Sequence, residues 1–338
     1  MSTWSSLRNR RLTLQILVAF AAIYVIWGTT YLAIRVAVET IPPFLMAGVR
    51  FLIAGGFTFA FLRVRGVPRP DRVQWRSAVL VGAFLLLGGN GLVTWAEQQV
   101  PSGIAALVVA TVPMWMTLFD WLFAGGARPG KGTTAGLVLG FIGMGLLIGP
   151  RVMEESTTIS PASWLILFLA PVLWSVGSLY SRRATLPENT FMATAMEMLS
   201  AGILLLLAGV LTGEGQRLDV AAIAPRSLVA MVYLAIFGSI VALTAYVWLL
   251  KTVDAARAAT YTYVNPVIAV FLGWMLLNEA VTAQMLVAVA IIVVAVVLIT
   301  ARRPGKTPAG EEQDGREHIA AVPSQFAGAT GEPDKLAP

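Results

Sequence analysis

Ten apolar stretches of about twenty residues each divide this chain, roughly at 12–34, 42–62, 77–96, 101–123, 133–149, 162–181, 190–211, 227–249, 256–277 and 283–300. About twenty apolar residues are what a helix needs to cross the hydrocarbon core of a bilayer. Lone strands cannot satisfy their backbone in lipid, so the expected form is helical throughout. The predicted fold class is therefore an all-α polytopic membrane protein with ten transmembrane helices. Composition agrees: 57% of the 338 residues are hydrophobic and only 12% are charged, against about 25% charged in a soluble domain. The N-terminus offers no small-residue cleavage site after its first apolar stretch, which is long enough to span, so no removable signal peptide is expected.

A calculated pI near 9.9 would elsewhere suggest nucleic acid. Here the bases sit in short connections between apolar stretches, which is the pattern of membrane orientation, and no nucleic-acid partner is expected. With the N-terminus inside, the cytoplasmic side collects Arg8, Arg10, Arg11, five arginines from Arg63 to Arg76, Arg128, Lys131, Arg182, Arg183, Lys251 and Arg257. The outer side keeps Arg35, Arg151, Arg217 and Arg226. Both termini are thus predicted in the cytoplasm. From about Pro304 the chain turns to Pro, Gly, Glu and Lys, and residues 304–338 read as a disordered cytoplasmic tail. The chain has no cysteine and one histidine, His318 in that tail. Disulfides, thiolate nucleophiles and histidine metal sites are excluded from the membrane region, and no metal or cofactor is expected.

The chain also repeats itself. Trp27, Phe44, Arg50 and Gly55 return 147 residues later as Trp174, Phe191, Glu197 and Gly202. Trp95, Val100, Ala105 and Pro113 return 153 residues later as Trp248, Val253, Ala258 and Pro266. The repeat units are 12–149 and 162–300, five spans each. An odd number of crossings starts the second unit on the opposite side, so the two are predicted to be inverted about an axis in the membrane plane.

Most charges sit at span ends. Arg35 and Lys251 are read as snorkelling, and Glu97, Asp254 and Glu279 as facing the water boundary. Asp120 reads as a boundary residue rather than a proton carrier. Arg50 and Glu197 differ, lying about 12 Å and about 10 Å inside their spans at 1.5 Å per residue. Facing lipid, each would cost roughly 2.5–3.5 kcal/mol or more, so both are predicted to face the bundle interior. One reading makes them lining groups of a polar cavity, Arg50 drawing anionic groups and Glu197 cationic ones or a proton. The other makes them an internal ion pair that fixes helix packing.

Trp27 and Trp174 lie well inside their spans and are cavity candidates, with Asn90, Tyr261, Tyr263 and Asn265; Tyr246 and Thr94 add hydrogen-bonding groups nearby. Helix packing competes as an explanation for each of these taken singly. Pro113 and Pro266 are predicted mid-helix, where proline removes a backbone bond and kinks the chain. Paired kinks suit gating, although membrane helices also tolerate proline without function.

These residues carry a family resemblance. Trp27-Gly28-Thr29-Thr30-Tyr31, Pro42-Pro43 and Ala47-Gly48-Val49-Arg50-Phe51 resemble the opening of EamA-type members of the drug/metabolite transporter superfamily. Gly89-Asn90-Gly91, Pro101 to Ala106, Ala110 to Pro113, Tyr261 to Val267 and Asn278-Glu279 continue it, closest to the YedA-like exporters. The resemblance spans about 12–300. It implies a ten-helix inner-membrane transporter of inverted five-helix repeats around a central cavity, exporting amino acids, other small amphipathic metabolites or drugs. The family pattern places Gly-Glu after the fourth and ninth helices; here the fourth is followed by Gly125-Gly126-Ala127.

The reading is a secondary exporter working by alternating access, its partners a small-molecule substrate and the bilayer, as monomer or homodimer. The absence of a Walker-type phosphate loop fits a transporter without ATP. A polytopic membrane enzyme is the alternative, but it needs an acid, histidine or metal cluster at one face, and the one adjacent acid pair in a flanking loop, Glu154-Glu155, lacks histidine support. A non-transporting sensor or structural protein is the third class, and the intramembrane charges argue against it.

Overall fold

The computed structural model describes residues 2–123, 125–126, 128–147, 159–253 and 258–300. Asp254, Arg257, the 154–155 acid pair and the 304–338 tail lie outside them. The described residues form helices and no strand. Ten are apolar and substantial: α1 (Ser2–Ala37), α2 (Pro43–Val64), α3 (Arg72–Ala96), α4 (Ser102–Phe123), α5 (Lys131–Leu147), α6 (Pro161–Ser181), α7 (Thr190–Leu211), α8 (Pro225–Thr252), α9 (Tyr261–Leu277) and α10 (Ala283–Thr300). Seven of these, α1–α4 and α6–α8, have the length and hydropathy to cross a membrane. The sequence expects ten, and the other three offer shorter apolar stretches among the described residues. Lysine-headed α5 is only 17 residues long, and α9 starts after a break at 259–260. In α10 the described apolar stretch is Ala283–Ala295.

Large apolar side chains point outward, Phe57, Leu165, Val210 and Trp274 each being more than half exposed. Polar ones point inward, which inverts the pattern of a soluble protein and suits a lipid surround.

The helix ends are fixed chemically. Asp71 and Gln74 close a capping box on α3, and Asn189 caps α7 by accepting from the Met192 amide at 3.1 Å. Two helices instead borrow a glutamate from a distant connection. Glu214, wholly buried, accepts from the amides of Phe44 (3.3 Å) and Leu45 (2.9 Å) at the start of α2. Glu279 accepts from the Ser102 amide and hydroxyl, both at 2.9 Å, at the start of α4. A carboxylate is the right group there because the first helical amides lack partners and carry the positive dipole end. Glu214→Ala leaves one buried and one half-buried amide unpaired and is expected to cost about 1–3 kcal/mol, read as a lowered melting temperature in detergent, with Glu214→Gln between the two.

These cross-links also define two faces. Arg35 donates to the Glu97 carbonyl, Arg226 pairs with Glu39 at 2.6 Å, and the Ala224 amide donates to Thr40, all at what we call the upper face. At the lower face Lys251 reaches the Pro187 carbonyl and Arg182 the Val253 carbonyl.

α2 packs along α7 and α5 along α10 over the most extensive interfaces. α1 packs on α8 and α9, while α6 packs on α3 and α4, and α4 meets α9. The α2–α7 crossing is close because of glycine: a Cβ on Gly48 would lie 3.1 Å from the Gly202 carbonyl oxygen, and one on Gly202 would lie 3.1 Å from that of Gly48. One on Gly55 would lie 2.9 Å from the Ala195 carbonyl oxygen. Small residues let backbones approach in membrane bundles, where burial of apolar surface supplies no drive between helices.

Two helices change their winding. α3 is π-helical over Ala83–Gly91 and α8 over Leu234–Leu243, each flanked by α-helix. Shifting the first segment by 153 residues gives 236–244, so the two irregularities overlap under the sequence repeat. π turns recur at functional positions because they free backbone groups and widen the helix.

Candidate functional site: a cavity between the two halves

A cavity enclosing about 660 Å³, its open mouth included, lies among α1, α2, α3, α4, α6, α8 and α9. α1 contributes Trp27, Thr30, Tyr31 and Ile34; α2 contributes Arg50 and Phe51; the π segment of α3 and the turn after it contribute Leu86, Gly89, Asn90 and Val93. Ala170, Pro171 and Trp174 of α6 face them, with Gly238 and Leu243 from the π segment of α8 and Tyr261 from α9. The α1 residues run from mid-helix to the upper end, and those of α2 lie in its upper half. The cavity is therefore displaced toward the upper face.

Its floor is aromatic. Trp27 packs edge-on against Trp174 (5.5 Å between centroids) and Tyr261 (4.8 Å), and Tyr246 fills the space beneath, 5.1 Å from Trp27 and 5.5 Å from Trp174. Hydrogen bonds fix the rings. Trp27 Nε1 donates to the Gly238 carbonyl at 3.2 Å, in the π segment of α8. Trp174 Nε1 donates to the Tyr246 hydroxyl at 3.1 Å, which also bonds Ser178 at 2.8 Å. A Cβ on Gly89 would come within 2.6 Å of the Trp174 ring. Each repeated tryptophan thus meets a π-helical glycine of the other sequence repeat, Trp174 by packing that leaves no room for a Cβ on Gly89 and Trp27 by a hydrogen bond to the Gly238 carbonyl.

Arg50 is the cation of the cavity. It is 3% exposed, its Nη2 donates to Asn90 Oδ1 at 2.6 Å, and its guanidinium lies 4.3 Å from the Phe51 ring centroid. Its Nε has no partner, and among the described residues it forms no ion pair. Glu97, one residue beyond the α3 span, is wholly buried with both carboxylate oxygens unpartnered, which corrects its reading as a water-boundary residue. Burial holds its carboxyl well above the usual carboxylate range, Glu279 pushing the same way and Arg35 and Arg50 against it. The α3 helix ends there and tucks Glu97 under Arg35, a fold-back that the span boundary does not reveal.

Of the sequence candidates, Arg50, Trp27, Trp174, Asn90 and Tyr261 come together at the cavity. Glu197 does not. It is wholly buried and unpartnered on the lower side, with Lys251 as its charged neighbour, so no Arg50–Glu197 ion pair forms. Asn265 is also removed from the cavity: with its amide nitrogen turned inward it donates to the carbonyls of Tyr261 (3.1 Å) and Tyr24 (3.2 Å), tying α9 to α1 beside Pro266. The Tyr263 side chain lies outside the described residues. Pro266 is interior to α9, but Pro113 corrects its mid-helix reading: α4 breaks at 110–111 and Pro113 is the second residue of the renewed helix. Proline there sacrifices no helical donor, and Thr111 Oγ1 covers the Val108 carbonyl at 2.7 Å. Neither proline lines the cavity. Tyr31, Phe51 and Pro171 escaped sequence reasoning; Tyr31 was legible as one turn beyond Trp27 on the same face.

The EamA-like transporter family model matches this chain twice, at residues 14–149 and 162–301. The chain belongs to the EamA-like transporter family. It is 43% identical over 286 residues to the Uncharacterized inner membrane transporter YedA of Escherichia coli (strain K12), covering 83% of this chain and 89% of that one. It is 26% identical to the WAT1-related protein At3g02690, chloroplastic, of Arabidopsis thaliana (81% and 66% covered) and 25% identical to Protein PagO of Salmonella typhimurium (87% and 95%). A crystal structure 26% identical in sequence superposes with a TM-score of 0.61, covering 85% of this chain and 97% of that one. Like other members, this EamA protein is a membrane transporter and not an enzyme.

Proposed function

We infer that this EamA protein is a secondary transporter of the bacterial inner membrane, exporting amino acids or similarly small amphipathic metabolites or drugs by alternating access. The observation that carries the reading is the cavity itself, in which an unneutralised buried guanidinium faces an aromatic wall. Such a site pairs an anionic group of the substrate with Arg50 and Asn90 and its apolar part with Trp27, Trp174 and Tyr261.

The ten helices are read as two inverted five-helix repeats, residues 12–149 and 162–300. Exchanging α1–α5 with α6–α10 leaves the helix pairings unchanged, α1 on α9 becoming α6 on α4, which supports a twofold axis. The reciprocal Gly48–Gly202 approach and the two π segments support it as well. The lower face carries the arginines of the 63–76 connection, so it is read as cytoplasmic with both termini. YedA is itself named an inner membrane transporter, in keeping with that location. In this reading the structure has its cavity on the periplasmic side of the aromatic floor. The break before Pro113 and the helix interior at Pro266 are the positions where α4 and α9 bend when the cavity changes side.

Counterflow in proteoliposomes tests this: a panel of radiolabelled neutral and acidic amino acids should include one that exchanges saturably and without ATP. No saturable exchange by any carboxylate-bearing compound, with cationic compounds exchanging instead, would overturn the assignment.

A further inference from the structure

The buried polar side chains left without a partner fall into two groups among the described residues. Arg50 and Glu97 lie beside the cavity. Ser181 and Glu197 lie below the aromatic floor, on α6 and α7, in a region that is closed: Glu197 is 0% and Ser181 2% exposed, while Thr244 sits level with the floor, one residue after the cavity-lining Leu243 of α8. Ser200, at mid-depth on α7, completes the set. Unpartnered buried polar groups are rare in native proteins and each one calls for a reason. Packing supplies none here, since an apolar residue would fill each place at lower cost.

The sequence repeat supplies one. Adding 147 to the upper-cavity residues Tyr31, Ile34 and Arg50 gives Ser178, Ser181 and Glu197; adding 153 to Val93 gives Tyr246. The residues that would take the place of the cavity wall, were the two halves to exchange conformations, thus include two of the unpartnered side chains. Ser178 and Tyr246, the other two, are fully buried and bonded to each other. The chemistry differs from the upper cavity in sign. Where the upper wall offers a guanidinium, the lower offers a buried carboxylate with two unpartnered oxygens, a group that receives an organic ammonium. Lys251, the cation nearest Glu197, is exposed at the lower end of α8 and occupied only by a 3.4 Å contact to the Pro187 carbonyl.

We propose that the alternate conformation opens a second cavity toward the lower face, walled by Ser178, Ser181, Tyr246 and Glu197, in which Glu197 receives an organic ammonium group. This rests on the alternating-access reading above. It assigns the protein two unlike chambers, one selecting anionic and the other cationic groups, with the aromatic cluster between them.

Because the chain has no cysteine, single thiols report access without background. Ser181→Cys, and separately Ser178→Cys, would be treated in inverted vesicles with trimethylammonium-ethyl methanethiosulfonate and with its sulfonatoethyl counterpart. The expected result is modification by the cationic reagent from the lower face, slowed roughly tenfold when Glu197→Gln is added, with the anionic reagent unaffected or faster. Failure of both thiols to react from the lower face, in variants that still exchange substrate, would sink the second cavity and leave the transport reading standing. Equal cationic rates with and without Glu197 would remove the acid from the site. Absence of saturable exchange by the unaltered protein, with Thr30→Cys still reactive from the upper face, would count against alternating access itself.

Discussion

Replacing Arg50 with alanine is expected to lower exchange of carboxylate-bearing substrates about 100-fold while the protein remains monodisperse in detergent. A hydrogen-bonded contact between a guanidinium and an anionic group in a desolvated site is worth about 1.5–3 kcal/mol, and every 1.4 kcal/mol is tenfold. The fold should survive because Arg50 forms no ion pair among the described residues: its one hydrogen-bond partner is Asn90, and the buried Glu97 keeps Arg35 as a second cation when Arg50 is removed. Arg50→Lys keeps the charge but loses the planar fork, so roughly a tenfold deficit is expected. Wild-type exchange by Arg50→Ala for every acidic and neutral amino acid tested would show that the guanidinium does not select the substrate.

A leucine at Gly202 is expected to have the largest effect on the fold. Its Cβ would press on the Gly48 carbonyl at 3.1 Å and on Leu52 at 2.7 Å, and while Leu52 can turn aside, a helical carbonyl cannot. Overpacking of this kind costs about 1–3 kcal/mol where neighbours can relax, and the α2–α7 crossing is among the two most extensive in the molecule. We expect about 3 kcal/mol or more, seen as loss of monodisperse protein or a drop in melting temperature. Gly56→Ala is the matched control, since a Cβ there would meet only Leu199 Cδ2 at 4.0 Å. An unchanged melting temperature for Gly202→Leu would show that the two helices do not cross this closely.

The helices and much of the cavity wall were legible in the sequence because hydropathy and repetition act over whole segments. Trp27 and Trp174 stood out as paired tryptophans deep in apolar spans, and Arg50 as a charge with nowhere else to go. What was not legible depends on where chains meet. Glu97 sits one residue past a span, yet the fold-back at Arg35 buries it completely. Glu197 has the same depth logic as Arg50, but it lies on the lower side, away from the cavity, so two residues that correspond in sequence do not share a chamber. Asn265 has the polarity of a binding group and spends it on the Tyr24 and Tyr261 carbonyls instead. Pro113 reads as a kink only until the helix is seen to stop before it.

The π-helical passages in α3 and α8 carry a consequence for anyone lining up relatives of this chain. A turn of π-helix takes in about one residue more than the 3.6 of an α turn, and each α-helical residue advances about 100° around the axis. A helical wheel drawn from the lower end of α3 therefore misassigns the facing of Val93, Thr94 and Glu97 by a large fraction of a turn. A single-residue deletion between 83 and 91 would be absorbed by a return to α winding, leaving both the hydropathy profile and the facing of Glu97 nearly unchanged. Gaps in an alignment at these two places are changes of winding, and they mark relatives that keep the facing of the flanking residues while losing the backbone groups the wider turn sets free.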